Sequence, residues 1–322
     1  MTICYFVVRG LKSQDDGSVE FYEKSPVVHQ LYDDVESWTG LTAAQVLYDK
    51  LPPGERDARN IMAVRAVAAQ IGVFDALAEQ GVRPDAVAGL SLGITTAACM
   101  AESLARQDAF RMMRHRQGLP EIPPNTAPQG VAWAKVPPGD DASRLYGANR
   151  EGVYLGVDFG QQPDGTGHTM VLSGYRSALE ELAADEPELV KLMPGTSAPH
   201  TPLRDYWSQR LRAFVSTLEF QDPKLPLIAC LEKPATLTKA EDVQEEIWRN
   251  ATRTASVPGA ISEMVRHNVR LCVIVGPSLD ENIIDWPFPA VYVKEPADLP
   301  KVMEQVDKLG IELTPAAAAA AD

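Results

Sequence analysis

The pattern of apolar and polar positions predicts that the chain begins with a buried strand followed by helices. Ile3 to Val8 is an unbroken apolar run of strand-forming residues, which is typical of a strand covered on both faces. Residues 20 to 50 have helical spacing with breaks. From Asp57 to Glu79 apolar residues recur at intervals of three and four, which predicts a long helix that Gly81 ends.

A second apolar run leads into a turn made of small residues. Ala86 to Ala88 predicts the end of a buried strand, and Thr95 to Ala105 predicts a helix. Between them lies Gly-Leu-Ser-Leu-Gly, residues 89 to 93, which fits a G-x-S-x-G turn with its serine exposed at a strained corner. Because Gly89 and Gly93 have no side chains, strand and helix are expected to approach each other closely. The bare pattern arises by chance in roughly one chain of this size in ten, but its position between strand and helix favours a nucleophilic Ser91.

The middle of the chain has a different organisation. Residues 121 to 130 are rich in proline and polar residues and predict a linker. The order that follows, β-α-β-β-α-β, is typical of a ferredoxin-like unit. We therefore expect a small ferredoxin-like domain at 125–198, inserted into an α/β-hydrolase-like catalytic domain with a parallel sheet at 1–124 and 199–322. The predicted strands are 130–136, 153–159, 168–173 and 189–193, and the predicted helices are 140–149 and 177–184.

The last third of the chain is expected to return to the larger sheet. A helix is predicted from Pro202 to Leu218, because apolar residues recur on one face, namely Leu203, Trp207, Leu211, Phe214 and Val215. The alanine-rich end, Pro315 to Asp322, predicts a frayed tail. Further strands are predicted at 225–230 and 270–275, and further helices at 241–251 and 257–268.

Composition indicates a globular protein and excludes some partners. The 322 residues are 45% hydrophobic and 23% charged, which suits a sizeable core. The net charge of −14 argues against general binding to nucleic acid or to anionic membranes. The four cysteines are far apart in apolar surroundings, so we expect buried thiols and no metal site. No signal peptide or run of eighteen apolar residues is present, so a cytoplasmic protein is expected.

A serine hydroxyl needs a base to become a nucleophile. Of the five histidines, His200 stands out because it lies in a proline-pinned loop, residues 195 to 202, where the small domain rejoins the large one. A base at that junction faces the cleft between domains, where substrate sites concentrate. His168 is the rival candidate. The remaining histidines are predicted to lie on the surface or beside a helix: His29, His115 and His267.

Several motifs together resemble one known family. Gly89 to Gly93, Arg116 in the next helix, and Ala198-Pro-His-Thr-Pro202 occur in the order and spacing of malonyl-CoA:acyl-carrier-protein transacylases. This FabD-like family includes stand-alone acyltransferases of polyketide synthases. Gly10-Leu-Lys-Ser-Gln14 falls where the family has Gly-Gln-Gly-Ser-Gln, and Val275 to Ser278 resembles its late Val-Gly-Pro-Gly motif. The resemblance covers nearly the whole chain, and the combination is specific although each motif alone is not.

The resemblance implies a covalent mechanism. Ser91 would attack the thioester of an acyl-CoA or acyl carrier, and the phosphopantetheine thiol of an acyl carrier protein would then remove the acyl group. His200 would be the general base, oriented by a backbone carbonyl that we place at Asn250. The backbone N–H groups of Leu11 and Leu92 would form the oxyanion hole. No bound cofactor or metal is implied.

The acyl group is expected to be dicarboxylic. By itself Arg116 would be interpreted as a surface helix cation, but the resemblance makes it a clamp for the free carboxylate of a malonyl-type unit. Two substrate-binding positions depart from the family. Leu90 replaces a histidine, and Pro199 stands before His200 where malonyl-selective members carry Phe and methylmalonyl-selective members carry Ser. These departures leave the acyl group open and favour a specialised polyketide role.

The sequence leaves three functions open. A monomeric acyltransferase is expected, with acyl-CoA and acyl carrier protein as partners. The alternatives are a hydrolase that clears acyl groups from stalled carriers and a degenerate acyltransferase kept as a docking subunit. Because a carrier protein is acidic, its docking needs local basic surface. The candidate arginines are Arg144, Arg150, Arg204, Arg210 and Arg212.

Overall fold

The computed structural model describes residues 3–8, 16–48, 59–120, 122–232, 235–276 and 281–313. The strands are β1 Ile3–Val8, β2 Ala86–Leu90, β3 Gln129–Val136, β4 Val153–Gln161, β5 His168–Tyr175, β6 Val190–Met193, β7 Leu227–Ala229, β8 Thr236–Leu237, β9 Ala255–Ser256, β10 Leu271–Val275 and β11 Ala290–Val293. The helices are α1 Asp16–Lys24, α2 Pro26–Thr39, α3 Ala43–Tyr48, α4 Arg59–Glu79, α5 Gly93–Met100, α6 Arg106–Gln117, α7 Arg176–Asp185, α8 Asp205–Val215, α9 Ala240–Arg249, α10 Val257–Arg266 and α11 Leu299–Lys308.

A six-stranded sheet forms the larger body, in the order β11-β10-β1-β2-β7-β8. Its neighbours are parallel from β11 to β7, and only β8 runs antiparallel. Strand β1 is buried along its whole length. Its odd-numbered side chains join the core on the α4 side, and its even-numbered side chains join the core on the opposite face. This double burial explains the unbroken apolar run, and the predicted mixed α/β fold with a parallel sheet is confirmed.

A five-stranded sheet forms the smaller body, in the order β6-β3-β5-β4-β9. Its first three pairings are antiparallel, and α7 packs on it through Leu179 and Leu182. The helix predicted at 140–149 is wrong, because the chain forms two 3-10 turns there, broken by Gly147 at φ +66°. Strand β9 comes from a later segment and pairs with β4 in parallel, so it ties the smaller sheet to the larger body.

Helix α4 is the longest apolar helix that the structure describes. By length and composition, Ile61–Glu79 could cross a membrane, with a mean hydropathy of 1.6. However, 78% of this helix window is buried inside the protein. It packs against α2 and α6 and contacts β1 through Phe74 and Tyr5, so it is a core helix.

Other boundaries differ from the sequence prediction. Helix α5 ends at Met100 because Glu102 adopts a left-handed conformation, with φ 54°. The predicted tail at 315–322 lies outside the described residues. Strand β11 and helix α11 have no counterpart in the prediction. Burial raises the pKa of all four free cysteines, which are Cys4, Cys99, Cys230 and Cys272.

Candidate active site

The turn between β2 and α5 places Ser91 at a strained corner. Ser91 has φ 57°, a left-handed conformation that non-glycine residues rarely adopt. A Cβ atom on Gly89 would lie 2.4 Å from Ile94 Cα, and one on Gly93 would lie 2.1 Å from the carbonyl oxygen of Val7. The two glycines therefore let the helix start directly against the sheet, as the motif predicts.

The structure brings His200 to Ser91. Its Nε2 lies 3.0 Å from Ser91 Oγ, and its Nδ1 lies 3.1 Å from the carbonyl oxygen of Arg253. A carbonyl oxygen can only accept, so Nδ1 carries the proton and Nε2 is left to accept from the serine hydroxyl. The rival, His168, lies in the smaller sheet instead, with Nε2 2.6 Å from Asp158.

The carbonyl that orients His200 was predicted at Asn250, and the structure corrects this position. The 3.1 Å hydrogen bond goes to Arg253, three residues later. The physical reason is the 3-10 turn Asn250–Thr252, after which Arg253 becomes extended, with φ −118° and ψ 142°. The backbone of Asn250 also hydrogen-bonds the ring. This bond raises the pKa of His200, as the bond to Arg253 does, but by less.

Three hydrogen bonds fix the loop that carries His200. The backbone N–H of Ala198 donates to Gln129 Oε1 over 3.1 Å, and the hydroxyl of Thr201 donates to the carbonyl of Ala198 over 2.8 Å. The backbone N–H of Thr201 donates to the carbonyl of Ala251 over 3.2 Å. These bonds hold His200 in its left-handed conformation, with φ 61°.

The surroundings of His200 keep its ring neutral. Burial is the largest effect and lowers its pKa to about 4. The hydrogen bonds to the backbone of Arg253 and Asn250 act in the opposite direction, whereas the positive charges of Arg116 and Arg204 lower the pKa further. A neutral imidazole at pH 7 can accept the proton of Ser91.

One of the two predicted oxyanion donors lies in the described chain. Leu92 directly precedes α5, so its N–H is among the groups that have no partner inside the helix. The positive end of the helix dipole lies at the same place. Leu11, the second predicted donor, lies outside the described residues.

A cleft open to solvent lies above Ser91, with about 460 Å³ of empty space that includes part of the open solvent. The predicted Arg116 and Pro199 both line this cleft. Arg204, predicted to lie on a docking surface, is instead 4% exposed and also lines it. The guanidinium carbons of Arg116 and Arg204 lie 4.8 and 4.6 Å from the ring centre of Trp207. The sequence predicted Trp207 only as part of an apolar helix face.

Leu90 was predicted to contact substrate, and the structure places it elsewhere. Its side chain is 2% exposed and packs in the core on the far face of the sheet, with Phe6 and Val8. The reason is the alternation of side chains along β2, which puts Leu90 on the same face as Ala86 and Ala88. It is absent from the described lining of the cleft.

Of the other predicted docking arginines, two are neutralised by carboxylates. Arg144 pairs with Glu186, and Arg150 lies 2.5 Å from Asp185. The exposed pair on α8 is different in kind, because aromatic rings support it. Arg210 lies 3.4 Å from the ring centre of Tyr206, and Arg212 lies 4.7 Å from that of Trp248.

The fold and the site define the class of protein. A serine on a strand–turn–helix corner, next to a neutral histidine above a parallel sheet, is the arrangement of an enzyme with a serine nucleophile.

Comparisons with known proteins then give the family. The model of the acyl transferase domain family matches residues 5–275, and the chain belongs to that family. It is an acyltransferase. The malonyl CoA-acyl carrier protein transacylase of Bacillus subtilis (strain 168) is 23% identical over 286 residues, which are 84% of this chain and 86% of that protein. Polyketide synthase GfsA of Streptomyces halstedii is 26% identical over 80% of this chain, but the chain spans only 4% of that synthase.

Solved structures share the fold. The malonyl CoA-acyl carrier protein transacylase of Coxiella burnetii has a TM-score of 0.79 at 17% identity, covering 94% of this chain and 98% of that one. The acyl-carrier-protein S-malonyltransferase of Burkholderia pseudomallei 1710b has a TM-score of 0.78 at 21% identity, covering 94% and 100%. A malonyl-transacylase in complex with a type II polyketide acyl carrier protein has a TM-score of 0.77 at 18% identity, covering 94% and 99%.

Proposed function

We propose that the protein moves a malonyl-type acyl group from CoA, or from an acyl carrier, to the phosphopantetheine thiol of an acyl carrier protein. The observation that carries the proposal is the cleft in which Ser91, its base His200 and the cation Arg116 meet. The names of the Bacillus relative and of the carrier-bound structure support the acyl group and the partner. The polyketide relatives support a polyketide pathway, and we place the enzyme in the cytoplasm as a monomer.

The first half-reaction would acylate Ser91. His200 Nε2 takes the hydroxyl proton while Oγ bonds to the thioester carbon, and the carbonyl electrons move to oxygen. The N–H of Leu92 stabilises that oxyanion, and losing such a donor typically costs about 3 kcal/mol of barrier. When the oxyanion collapses, the carbon–sulfur bond breaks, and the departing CoA sulfur takes the proton from His200.

The second half-reaction would run the same steps in reverse. The carrier thiol gives its proton to His200, and the sulfur attacks the acyl ester on Ser91. The ester bond breaks, and Ser91 Oγ recovers the proton. One base thus serves both transfers, and no cofactor takes part in either proton balance.

Arg116 would select acyl groups with a free carboxylate. It reaches the cleft from the last turn of α6, and its stacking on Trp207 holds the guanidinium plane in place. A guanidinium binds a carboxylate through two parallel hydrogen bonds, which a neutral acyl group cannot make. We propose Pro199 as the neighbour that shapes the space beside this carboxylate.

We propose two domains, with the cleft at their junction. The four antiparallel strands β3 to β6 fall within 125–198, which supports that division from 1–124 and 199–322. For carrier docking we propose Arg210 and Arg212, because both are exposed on α8, the helix that follows His200. Each of these arginines lies over an aromatic ring, and their positive charges favour an acidic partner surface there.

The test is thioester turnover with and without the carrier. Malonyl-CoA is mixed with the enzyme, and free CoA and malonyl carrier are measured over time. Acylation of Ser91 releases one equivalent of CoA per enzyme without the carrier, and we expect continued release only when a carrier with its phosphopantetheine thiol is present. Equally fast continued CoA release in water alone would identify a hydrolase, and no release in either case would identify a docking subunit.

A further inference from the structure

Trp207 and Asn250 line the cleft, and each carries a buried N–H donor that has no hydrogen-bond partner among the described residues. The donors are the indole Nε1 of Trp207, whose residue is 2% exposed, and the amide Nδ2 of Asn250, whose residue is 8% exposed. Buried donors in native proteins are nearly always paired, and an unpaired one is costly. Both residues share the cleft with Ser91, so an acceptor that enters with the substrate would satisfy them.

The charges around the cleft favour a substrate group that accepts hydrogen bonds. The described lining of the cleft contains no Asp or Glu, so no carboxylate there would neutralise a positively charged amino substituent. Arg116 and Arg204 lie over the same indole ring as the unpaired Nε1, and their charge favours electron-rich atoms. A methyl substituent of similar size offers no lone pair, whereas a hydroxyl or carboxylate oxygen offers two.

We propose that Trp207 and Asn250 form a second acceptor subsite, which selects an acyl group carrying an oxygen acceptor beyond the carboxylate of a plain malonyl unit. This inference rests on the proposed function, because it concerns the acyl group that Ser91 takes up. The oxygen can come from two sources. One is a hydroxyl on the central carbon of a malonyl unit, and the other is the displaced carboxylate of a longer dicarboxylic chain.

The test compares isosteric and isomeric substrates on Ser91. The kcat/KM of acylation is measured for malonyl-, hydroxymalonyl-, methylmalonyl- and succinyl-CoA. Hydroxymalonyl differs from methylmalonyl by a hydroxyl in place of a methyl group, and succinyl is an isomer of methylmalonyl. We expect hydroxymalonyl or succinyl to exceed methylmalonyl by about tenfold or more, and the preferred one identifies the source of the oxygen.

Two variants remove one donor each and keep a side chain in its place. Trp207→Phe keeps a ring for the arginines but has no N–H, and Asn250→Leu keeps the size and the backbone carbonyl. The preference ratio is the kcat/KM of the preferred oxygen-bearing substrate divided by that of methylmalonyl-CoA. Each variant is expected to lower this ratio about fivefold or more. Ile247→Val, which trims the same cleft without removing a donor, is the matched control and is expected to keep the ratio.

The possible outcomes separate this inference from the proposed function. A wild-type preference for methylmalonyl, or the same ratio in both variants as in wild type, would overturn the subsite while acylation of Ser91 by malonyl-CoA still stands. An equal loss on all four substrates would also overturn it, because the donors would then serve the malonyl carboxylate itself. Absence of acylation by every substrate would overturn the proposed function together with the subsite.

Discussion

Ser91 Oγ lies 3.0 Å from His200 Nε2, and both residues hold a left-handed backbone, with φ 57° and 61°. The two are 109 positions apart in the sequence. A non-glycine residue in this region costs on the order of 1–3 kcal/mol and persists only where its surroundings enforce it. Here helix α5, packed on the sheet, enforces the conformation of Ser91, and the hydrogen-bonded loop enforces that of His200. The pair is therefore positioned before substrate arrives.

The acylation rate is expected to stay level at pH values at which a histidine of ordinary pKa would already be protonated. Because burial lowers the pKa of His200 to about 4, the ring stays neutral as the pH falls through its usual value near 6.5. The single-turnover rate of Ser91 acylation should be level from pH 8 to about 5.5. It should fall only as the pH approaches about 4. A midpoint near 6.5 would contradict this account.

The charge of Arg204 contributes to that low pKa, and its removal should be visible. Arg204→Met removes a positive charge that opposes protonation of His200, so the acid limb of the acylation profile should move to higher pH. Arg210→Met, on the exposed face of α8, is the control and should leave the midpoint in place. Identical midpoints for wild type and Arg204→Met would show that this charge does not reach the ring.

The malonyl carboxylate should depend on Arg116. Arg116→Met removes the charge-assisted hydrogen bonds, which are worth about 1.5–3 kcal/mol, and should lower kcat/KM for malonyl-CoA about 10- to 100-fold. Acetyl-CoA has no carboxylate to lose, so the malonyl-to-acetyl ratio is the measured quantity. A ratio that does not change would place the carboxylate elsewhere in the cleft.

The corner that carries Ser91 should tolerate no side chain at Gly93. A Cβ there would lie 2.1 Å from the carbonyl oxygen of Val7, so Gly93→Ala must shift the helix or the sheet. We expect a loss of about 3 kcal/mol in the free energy of unfolding, measured by urea denaturation. Gly118→Ala is the control, since its Cβ would meet only the carbonyl oxygen of His115 at an ordinary 3.5 Å. Equal stability of both variants would contradict the close approach.

Glu246 should make the protein less stable as the pH rises. Burial raises its pKa to about 8, so the folded state holds a proton that the unfolded state releases above about 4.5. Stability is therefore lost as the pH rises through that window. The free energy of unfolding should fall less steeply between pH 5 and 8 in Glu246→Gln than in wild type. The exposed Glu241→Gln should follow wild type, and the same slope in all three proteins would refute the assignment.

The sequence predicted the parts of the site that depend on local geometry. The G-x-S-x-G pattern places Ser91 because its two glycines act within five residues, and the proline-pinned loop similarly marks His200. Leu90 could also have been placed correctly. Ala86, Ala88 and Leu90 are alternate residues of one strand, so their side chains share the face of the sheet that lies opposite α4.

The rest of the site depends on packing between distant segments. The carbonyl that orients His200 moves from Asn250 to Arg253 because a 3-10 turn extends the end of α9, and a single sequence does not fix such a turn. Trp207 on α8, and Arg204 directly before that helix, enter the cleft because α8 packs beside α6. The apolar pattern of α8 predicts a buried face, but it does not reveal which neighbour covers that face.

The covalent role of Ser91 can be measured directly from the mass of the protein after exposure to malonyl-CoA. The acyl-enzyme should be trapped at low pH, digested and sequenced by mass spectrometry. A covalent mechanism predicts one malonyl group on the peptide that contains Ser91 in the wild type, and none in Ser91→Ala. An unmodified wild type, or equal labelling of Ser91→Ala, would contradict the covalent mechanism.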